Sequence, residues 1–187
     1  MTDRKKDYFM ALYEVARVVN ASLKPSKVLE EIVSRVSSVM EVKGCTLRVL
    51  DSRKKRLLMG TCFGLSDGYI RKGPVTVEQS GLDKKALKGQ TVYLKNAQTD
   101  DDFQYKDKAR AEGIKSVLVV PLTVEKKTIG ILRVYSERVR EFEEKEIKFL
   151  EAVANLSAIA LENARLHKAL RKDYDLLIDH KYRLDDN

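Results

Sequence analysis

Ser116-Val117-Leu118-Val119-Val120-Pro121-Leu122 and Thr128-Ile129-Gly130-Ile131-Leu132-Arg133-Val134-Tyr135 are two β-rich runs on either side of a short charged turn. Runs of this length and composition, bounded by turn residues, predict the two strands of a hairpin. After them an apolar-periodic segment begins near Glu143 and meets no glycine or proline before the last residue. That pattern predicts one long terminal helix. A hairpin feeding such a helix decides the architecture of the C-terminal half.

Upstream, Tyr8/Phe9, Leu12, Val15/Ala16 and Val19 recur at three- and four-residue steps and predict a first helix stopping near Asn20. Pro25 cannot continue that helix but suits the first turn of another. The second helix would bury Val28, Leu29, Ile32, Val33, Val36 and Val39/Met40, ending before Gly44. Cys45–Leu50 and Leu57–Phe63 read as an antiparallel hairpin across the polar turn Asp51–Arg56. Gly64, Gly68, Gly73 and Pro74 then break the chain into short pieces: a helical turn around Ser66–Arg71, a strand near Val75–Val77, a helix over Leu82–Lys88 and a strand over Thr91–Leu94. The polar stretch Lys95–Gln104 reads as a loop, and Tyr105–Glu112 as a short helix closed by Gly113. Antiparallel strands with helices at both ends predict an α+β fold. Five to six strands would form one central sheet, with the terminal helices on one face. The crossing region between the hairpins would cover the other face and leave a pocket beneath it.

The bulk composition narrows the function classes. At 187 residues the chain suits a single domain. No run reaches the roughly 18 apolar residues of a membrane span, and the N-terminus has no secretory-type apolar stretch; a cytoplasmic location is the expectation. The 36 basic against 28 acidic residues give +8, but the basic clusters Arg53-Lys54-Lys55-Arg56 and Lys126-Lys127 fall in hairpin turns, where charge serves solubility. Neither a recognition helix nor an aromatic-studded sheet supports nucleic-acid binding, and no membrane partner is expected. Two cysteines without a Cys-x-x-Cys and two histidines argue against a metal site, and no cofactor is expected.

Six phrases in order resemble the GAF domain, a small-molecule sensory fold related to PAS. They are Cys45–Asp51, Gly81-Leu82 through Gly89–Val92, Glu112–Ser116, Val119–Leu122, Ile129–Leu132 and Ala160–Leu166. The resemblance covers about residues 8–168. It implies a sensory domain over residues 1–168 and a signalling or dimerisation helix over 169–187. Within the family, the cyclic-nucleotide branch resembles an Asn-Lys pair after the last strand, where this chain has Ser136-Glu137-Arg138. Bilin or haem attachment would want a histidine near the pocket, and His167 and His180 both lie on the terminal helix. The branch that reduces free methionine sulfoxide uses cysteines in the crossing region, and Phe63–Ser116 contains none. A non-enzymatic sensor is therefore expected, with a degenerate dimerisation or interaction module as the alternative.

Strand alternation selects the site candidates. Arg48 should share a face with Thr46 and Leu50, and Arg133 with Ile129, Ile131 and Tyr135, opposite the apolar Leu47/Val49 and Leu132/Val134. Both arginines then point to the pocket side, where they could bind a carboxylate or phosphate. Alternatively they pair with the chain's own acids, Glu112 or Asp100–Asp102. Tyr69, Tyr93, Phe103, Tyr105 and Tyr135 could line a ligand cavity or fill a minor core. A hairpin turn centred between Arg53 and Lys54 would set Cys45 opposite Cys62, as a redox pair or as two buried thiols. Asp100–Asp102 with Asp107 could hold a hard cation or form a solvated loop. On the terminal helix Phe149/Leu150, Val153, Leu156, Ile159/Ala160 and Leu166 form the expected inner stripe. Leu170, Leu177 and Leu184 then recur every seven residues, with Tyr174 beside them. With Leu166 they suggest a homodimer seam. With no output domain expected beyond this helix, a signal would pass through the dimer or through a signalling protein partner.

Overall fold

The computed structural model describes residues 7–21 and 24–185, excepting the side chains of 21, 173 and 176–185. Two helices open the chain, α1 (Tyr8–Ala21) and α2 (Pro25–Val39), followed by the hairpin β1 (Gly44–Leu50) and β2 (Arg56–Phe63). The crossing region contributes α3 (Asp67–Ile70), β3 (Val75–Thr76), α4 (Gly81–Leu87), β4 (Val92–Leu94) and α5 (Lys106–Glu112). The second hairpin, β5 (Ser116–Val124) and β6 (Lys127–Ser136), leads into α6 (Glu144–Asp185). All strand pairs are antiparallel, in the order β3-β2-β1-β6-β5-β4. The fold is α+β, as the order of patterns indicated.

Local chemistry places the element ends. Pro25 starts α2, its missing N–H falling where a helix has no acceptor anyway. Gly113 ends α5 in the left-handed conformation (φ 76°), which costs a residue without Cβ little. In the first turn the Asp51 carboxylate accepts from Lys55 N (2.7 Å) and Arg56 N (3.1 Å), and these bonds hold its pKa below the usual carboxylate value.

The sheet divides two apolar clusters. On one side α1, α2 and α6 cover Cys45, Leu47, Leu118, Val120, Leu132 and Val134, with Ile32, Val36, Leu150 and Val153 fully or almost fully buried. On the other side Leu57, Val75, Leu82, Val117, Val119 and Ile131 pack with Tyr69, Phe103 and Tyr135. That second cluster fills much of the expected pocket, because three large aromatic side chains turn inward from the crossing region and β6.

Two bulges move residues from their expected places. Arg48 pairs with Met59 but Leu47 with Thr61, so Gly60 is an extra residue in β2. The turn is centred where the sequence suggests, yet beyond Gly60 Cys45 lies opposite Phe63, and Cys62 opposite Thr46. Cys45 belongs to the helix-side cluster, whereas Thr46 reaches Tyr135 on the other side. The two thiols therefore face opposite sides of the sheet, and the expected facing pair does not form. Native protein treated with a thiol oxidant should gain no intrachain disulfide, and maleimide should label the half-buried Cys62 before the buried Cys45; rapid labelling of both, or a bridge in the peptide map, would contradict this. The second irregularity leaves Ile129 without a partner between Leu122↔Gly130 and Thr123↔Thr128. Ile129 consequently packs on the helix side rather than beside Arg133.

Candidate functional site

Arg48 and Arg133 do face the crossing region. Thr46 pairs with Arg133 and Arg48 with Ile131, which makes the arginines diagonal neighbours on one face of the central strand pair. Their exposures are only 4% and 3%. The Arg48 Nη1 donates to the main-chain oxygen of Leu57 at 3.1 Å. The Arg133 Nη2 donates to Asp83 Oδ1 in a fully buried ion pair. Burial works against the Arg133 charge, but Asp83 more than offsets it and raises the guanidinium pKa. Arg48 makes no ion pair of its own among the described residues: burial lowers its pKa, Tyr135 and the more distant Asp83 oppose that, and Arg133 adds to it.

Asp83 was not among the expected partners, and its position in α4 explains why it serves. Ser80 caps the helix by accepting from Asp83 N at 3.3 Å, and Leu82 and Ala86 bury the same edge. Residue 83, adjacent to Leu82 and one turn from Ala86, is carried inward with them. The acids first considered are engaged elsewhere. Glu112 accepts from Ser66 N (3.0 Å) and Ser66 Oγ, with Lys43 at 3.9 Å. Asp100 accepts from Asp102 N, Asp101 pairs with Lys106, and Asp102 pairs with Lys85 at 2.5 Å. These bonds tie the Lys95–Gln104 loop to α4 and to the start of α5.

The aromatic candidates divide. Tyr135 is fully buried and shares a 3.2 Å hydrogen bond with Thr46 Oγ1. Its ring meets Tyr69 edge-on at 5.8 Å, and the Arg133 guanidinium lies 5.9 Å from Tyr135 and 5.8 Å from Phe103. Tyr105 stands at the rim and donates to Pro74 O at 2.7 Å. Tyr93 is not part of this group: it is opposite Leu118 on the helix side and packs on Phe142 at 6.4 Å. The sequence reading missed Lys72, whose Nζ lies 3.4 Å above the Tyr69 ring. Burial pulls the pKa of Lys72 down to about 6; Arg133 and Arg48 lower it further, while Asp83 and Glu112 oppose them.

Among the described residues, five polar atoms around these rings have no hydrogen-bond partner: Arg48 Nε, Arg133 Nε, Asp83 Oδ2, Tyr69 Oη and Lys72 Nζ. A buried polar group without a partner carries its full desolvation cost, on the order of 1–3 kcal/mol. Beside the helix-side core, among the described residues, only Tyr8 Oη and Arg140 Nε are left in this way, so such atoms concentrate on the crossing-region wall.

The terminal helices carry a different feature. Tyr8, Phe9, Leu12, Phe149 and Ala152, flanked by Lys145 and Lys148, line an open groove of about 280 Å³ between α1 and α6. Phe9 is 79% exposed, and Met10, Tyr13, Ile159, Leu166, Leu170 and Tyr174 are also exposed. The inner stripe of α6 thus runs through Phe149, Leu150, Val153, Ala154, Ala158 and Ala160, with Leu156 half-buried beside it, but stops short of Leu166, and Ile159 points outward. The side chains of Leu177 and Leu184 lie outside the described residues. Among the described residues, no helix is long and apolar enough to cross a membrane.

The family model described as "GAF domain" matches residues 22–162. The chain belongs to the GAF domain family. It is 27% identical over 133 residues to the methyl sulfide methyltransferase-associated sensor of Methanosarcina acetivorans, covering 68% of this chain and 13% of that protein. It is 23% identical over 184 residues to the Nif-specific regulatory protein of Azorhizobium caulinodans, covering 94% of this chain and 29% of that protein. The chain therefore spans less than a third of either relative. Its fold is also similar to that of free methionine-R-sulfoxide reductase from Neisseria meningitidis, solved with its substrate (TM-score 0.73, 19% identity, covering 89% of this chain and 95% of that one). Family membership and the sensor and regulator relatives mark a signalling-type sensory domain.

Proposed function

We propose that this chain is a non-enzymatic sensory domain that binds a small molecule on the crossing-region face of its sheet and signals through paired terminal helices. The observation that carries the reading is the concentration of unpartnered polar atoms on Arg48, Tyr69, Lys72, Asp83 and Arg133. Such groups are costly in an apolar core and are satisfied when a polar ligand enters. Phe103, Tyr135, Tyr105 and Glu112 complete the wall and rim. A reductase role lacks support, because both cysteines fall outside Phe63–Ser116.

The exposed apolar side chains of α1 and α6 suit a symmetric contact with a second copy. Leu166, Leu170 and Tyr174 would lie in that contact, and Leu177 and Leu184 would extend it. The filled second cluster also fits the alternative reading, a ligand-free dimerisation or interaction module. A signalling protein partner and a cytoplasmic setting belong to the first reading.

One experiment separates the two. A thermal-denaturation screen over small anions, nucleotides and amino acids should yield a stabilising compound whose effect Arg48→Ala removes. A protein that no compound stabilises would be the interaction module. Light scattering should in either case give twice the protomer mass, reverting to monomer in Leu170→Glu/Tyr174→Glu; a wild-type monomer would remove the dimer from both.

A further inference from the structure

Taking the crossing-region face as the binding face, we infer that its ligand is a small oxyanion, bearing a carboxylate, sulfonate or phosphate group, held by Arg48 and Lys72 rather than by Arg133. The charge arrangement separates the three cations. Arg133 already has its counter-ion in Asp83, both being buried. Arg48 is spent only on a main-chain oxygen, and its Nε is unpartnered. Lys72 Nζ likewise has no hydrogen-bond partner. Among the described residues no carboxylate lies within ion-pairing distance of either group, and Glu112, the other acid nearby, is held by Ser66 and Lys43. The result is an unpaired guanidinium and an unpaired amine beside the edge-to-face rings of Tyr69 and Tyr135.

A buried charge without a partner is strongly unfavourable, and an oxyanion relieves it with charge-assisted bonds from both cations. The planar guanidinium supplies direction, and the ammonium supplies a point charge on a flexible stem. Lys72 is suited to yield to a ligand. It lies two residues past the end of α3, precedes Gly73-Pro74, and rests on the Tyr69 face with Tyr105 5.7 Å away.

Binding should also move a proton. The groups around Lys72 are Tyr69 from α3, Arg48 from β1, Arg133 and Tyr135 from β6, Asp83 from α4, Glu112 from α5 and Tyr105 before it. Burial and the two arginines outweigh the two acids and bring the lysine pKa to about 6. At pH 8 the unliganded amine is therefore mostly neutral. An anion beside it restores the charge, so affinity rises as pH falls from 8 towards 6.

Sulfate, a dianion throughout that range, and malonate, a dianion at pH 8, are the probes, and the pH dependence is read with sulfate. The test is made on the full 187-residue chain against chloride at equal ionic strength. The expected result is a rise in melting temperature above the chloride control with at least one probe. Titration calorimetry at pH 8, in buffers of different ionisation enthalpy, should then register uptake of about one proton per anion bound. Arg48→Met and Lys72→Met should each weaken binding by about tenfold or more, and Lys72→Met should abolish the proton uptake. Lys72→Met should melt no lower than wild type, since it removes a buried amine that has no hydrogen-bond partner, so its loss of binding is not loss of fold. Absence of an anion-specific rise, or binding undiminished in both variants, would overturn the inference. A neutral compound from the screen that stabilises wild type and both variants alike would overturn it too, while leaving the sensory reading in place. Failure of every compound would remove both.

Discussion

Asp83→Asn should lower the unfolding free energy by about 3–5 kcal/mol, the cost of breaking a buried pair by removing one charge. At this chain length that corresponds to a melting temperature lower by roughly 10 °C. Asn keeps the shape and the Ser80 cap, which rests on the residue-83 main chain, so lost charge dominates the change. Arg133 would be left 3% exposed with no counter-ion. It would join Arg48 as a second guanidinium without an ion-pair partner beneath the same loops. Arg133→Met alone should also destabilise, by stranding the carboxylate. The double variant Asp83→Asn/Arg133→Met should recover much of the loss, because two apolar or neutral groups need no pairing. A double-mutant cycle measures this directly. A loss below about 1 kcal/mol for Asp83→Asn, the range of solvent-exposed pairs, would mean that water reaches the pair and that the second core is looser than its packing indicates.

The ion pair also illustrates what the sequence could and could not reveal. The face that Arg48 and Arg133 occupy was legible, because β1 and β6 alternate cleanly through Leu47/Val49 and Leu132/Val134, and an alternation of period two fixes both faces at once. The partner was not legible. Asp83 is 50 residues from Arg133, and that pairing depends on how α4 crosses the sheet. Its neighbours Leu82 and Ala86 were the available signal, since they make residue 83 part of an inward edge. Parity failed where a bulge intervened: Gly60 displaced Cys62 from Cys45, and the irregularity before Gly130 turned Ile129 over. In β4, only three residues long, alternation was too short to orient Tyr93. The helical stripes were legible in α1 and α2 but overran in α6, where the period continues after the sheet has ended and Leu166 has nothing to cover. Lys72 carried no signal at all. Arg71 beside it is exposed, and only the three-dimensional position of Tyr69 separates the two.

Gly130→Ala should be the most damaging single-methyl change in the sheet, costing about 3 kcal/mol, the upper end for overpacking a core. A Cβ at residue 130 would sit 2.2 Å from the main-chain oxygen of Arg48 and 3.2 Å from Leu122 Cδ1. The first contact is with backbone, so no rotamer change relieves it. β1 and β6 must separate where Val49 pairs with Gly130, at the centre of the six-stranded sheet. Alanine also restricts the unfolded chain, which stabilises by about 0.4–1 kcal/mol, but the clash is the larger effect. Gly68→Ala is the matched control. Its Cβ would meet only Ser66 Oγ at 3.8 Å, and it lies within the short helix α3, so the same chemical change should be neutral or slightly stabilising. The consequence for the site follows from geometry. The main chain that Gly130→Ala displaces is that of Arg48, so sulfate or malonate stabilisation should fall even at temperatures where the variant remains folded. A Gly130→Ala protein that melts with wild type and keeps its anion response would show that β1 and β6 do not approach as closely as described. The guanidinium of Arg48 would then owe its placement to something other than the narrow seam between those two strands.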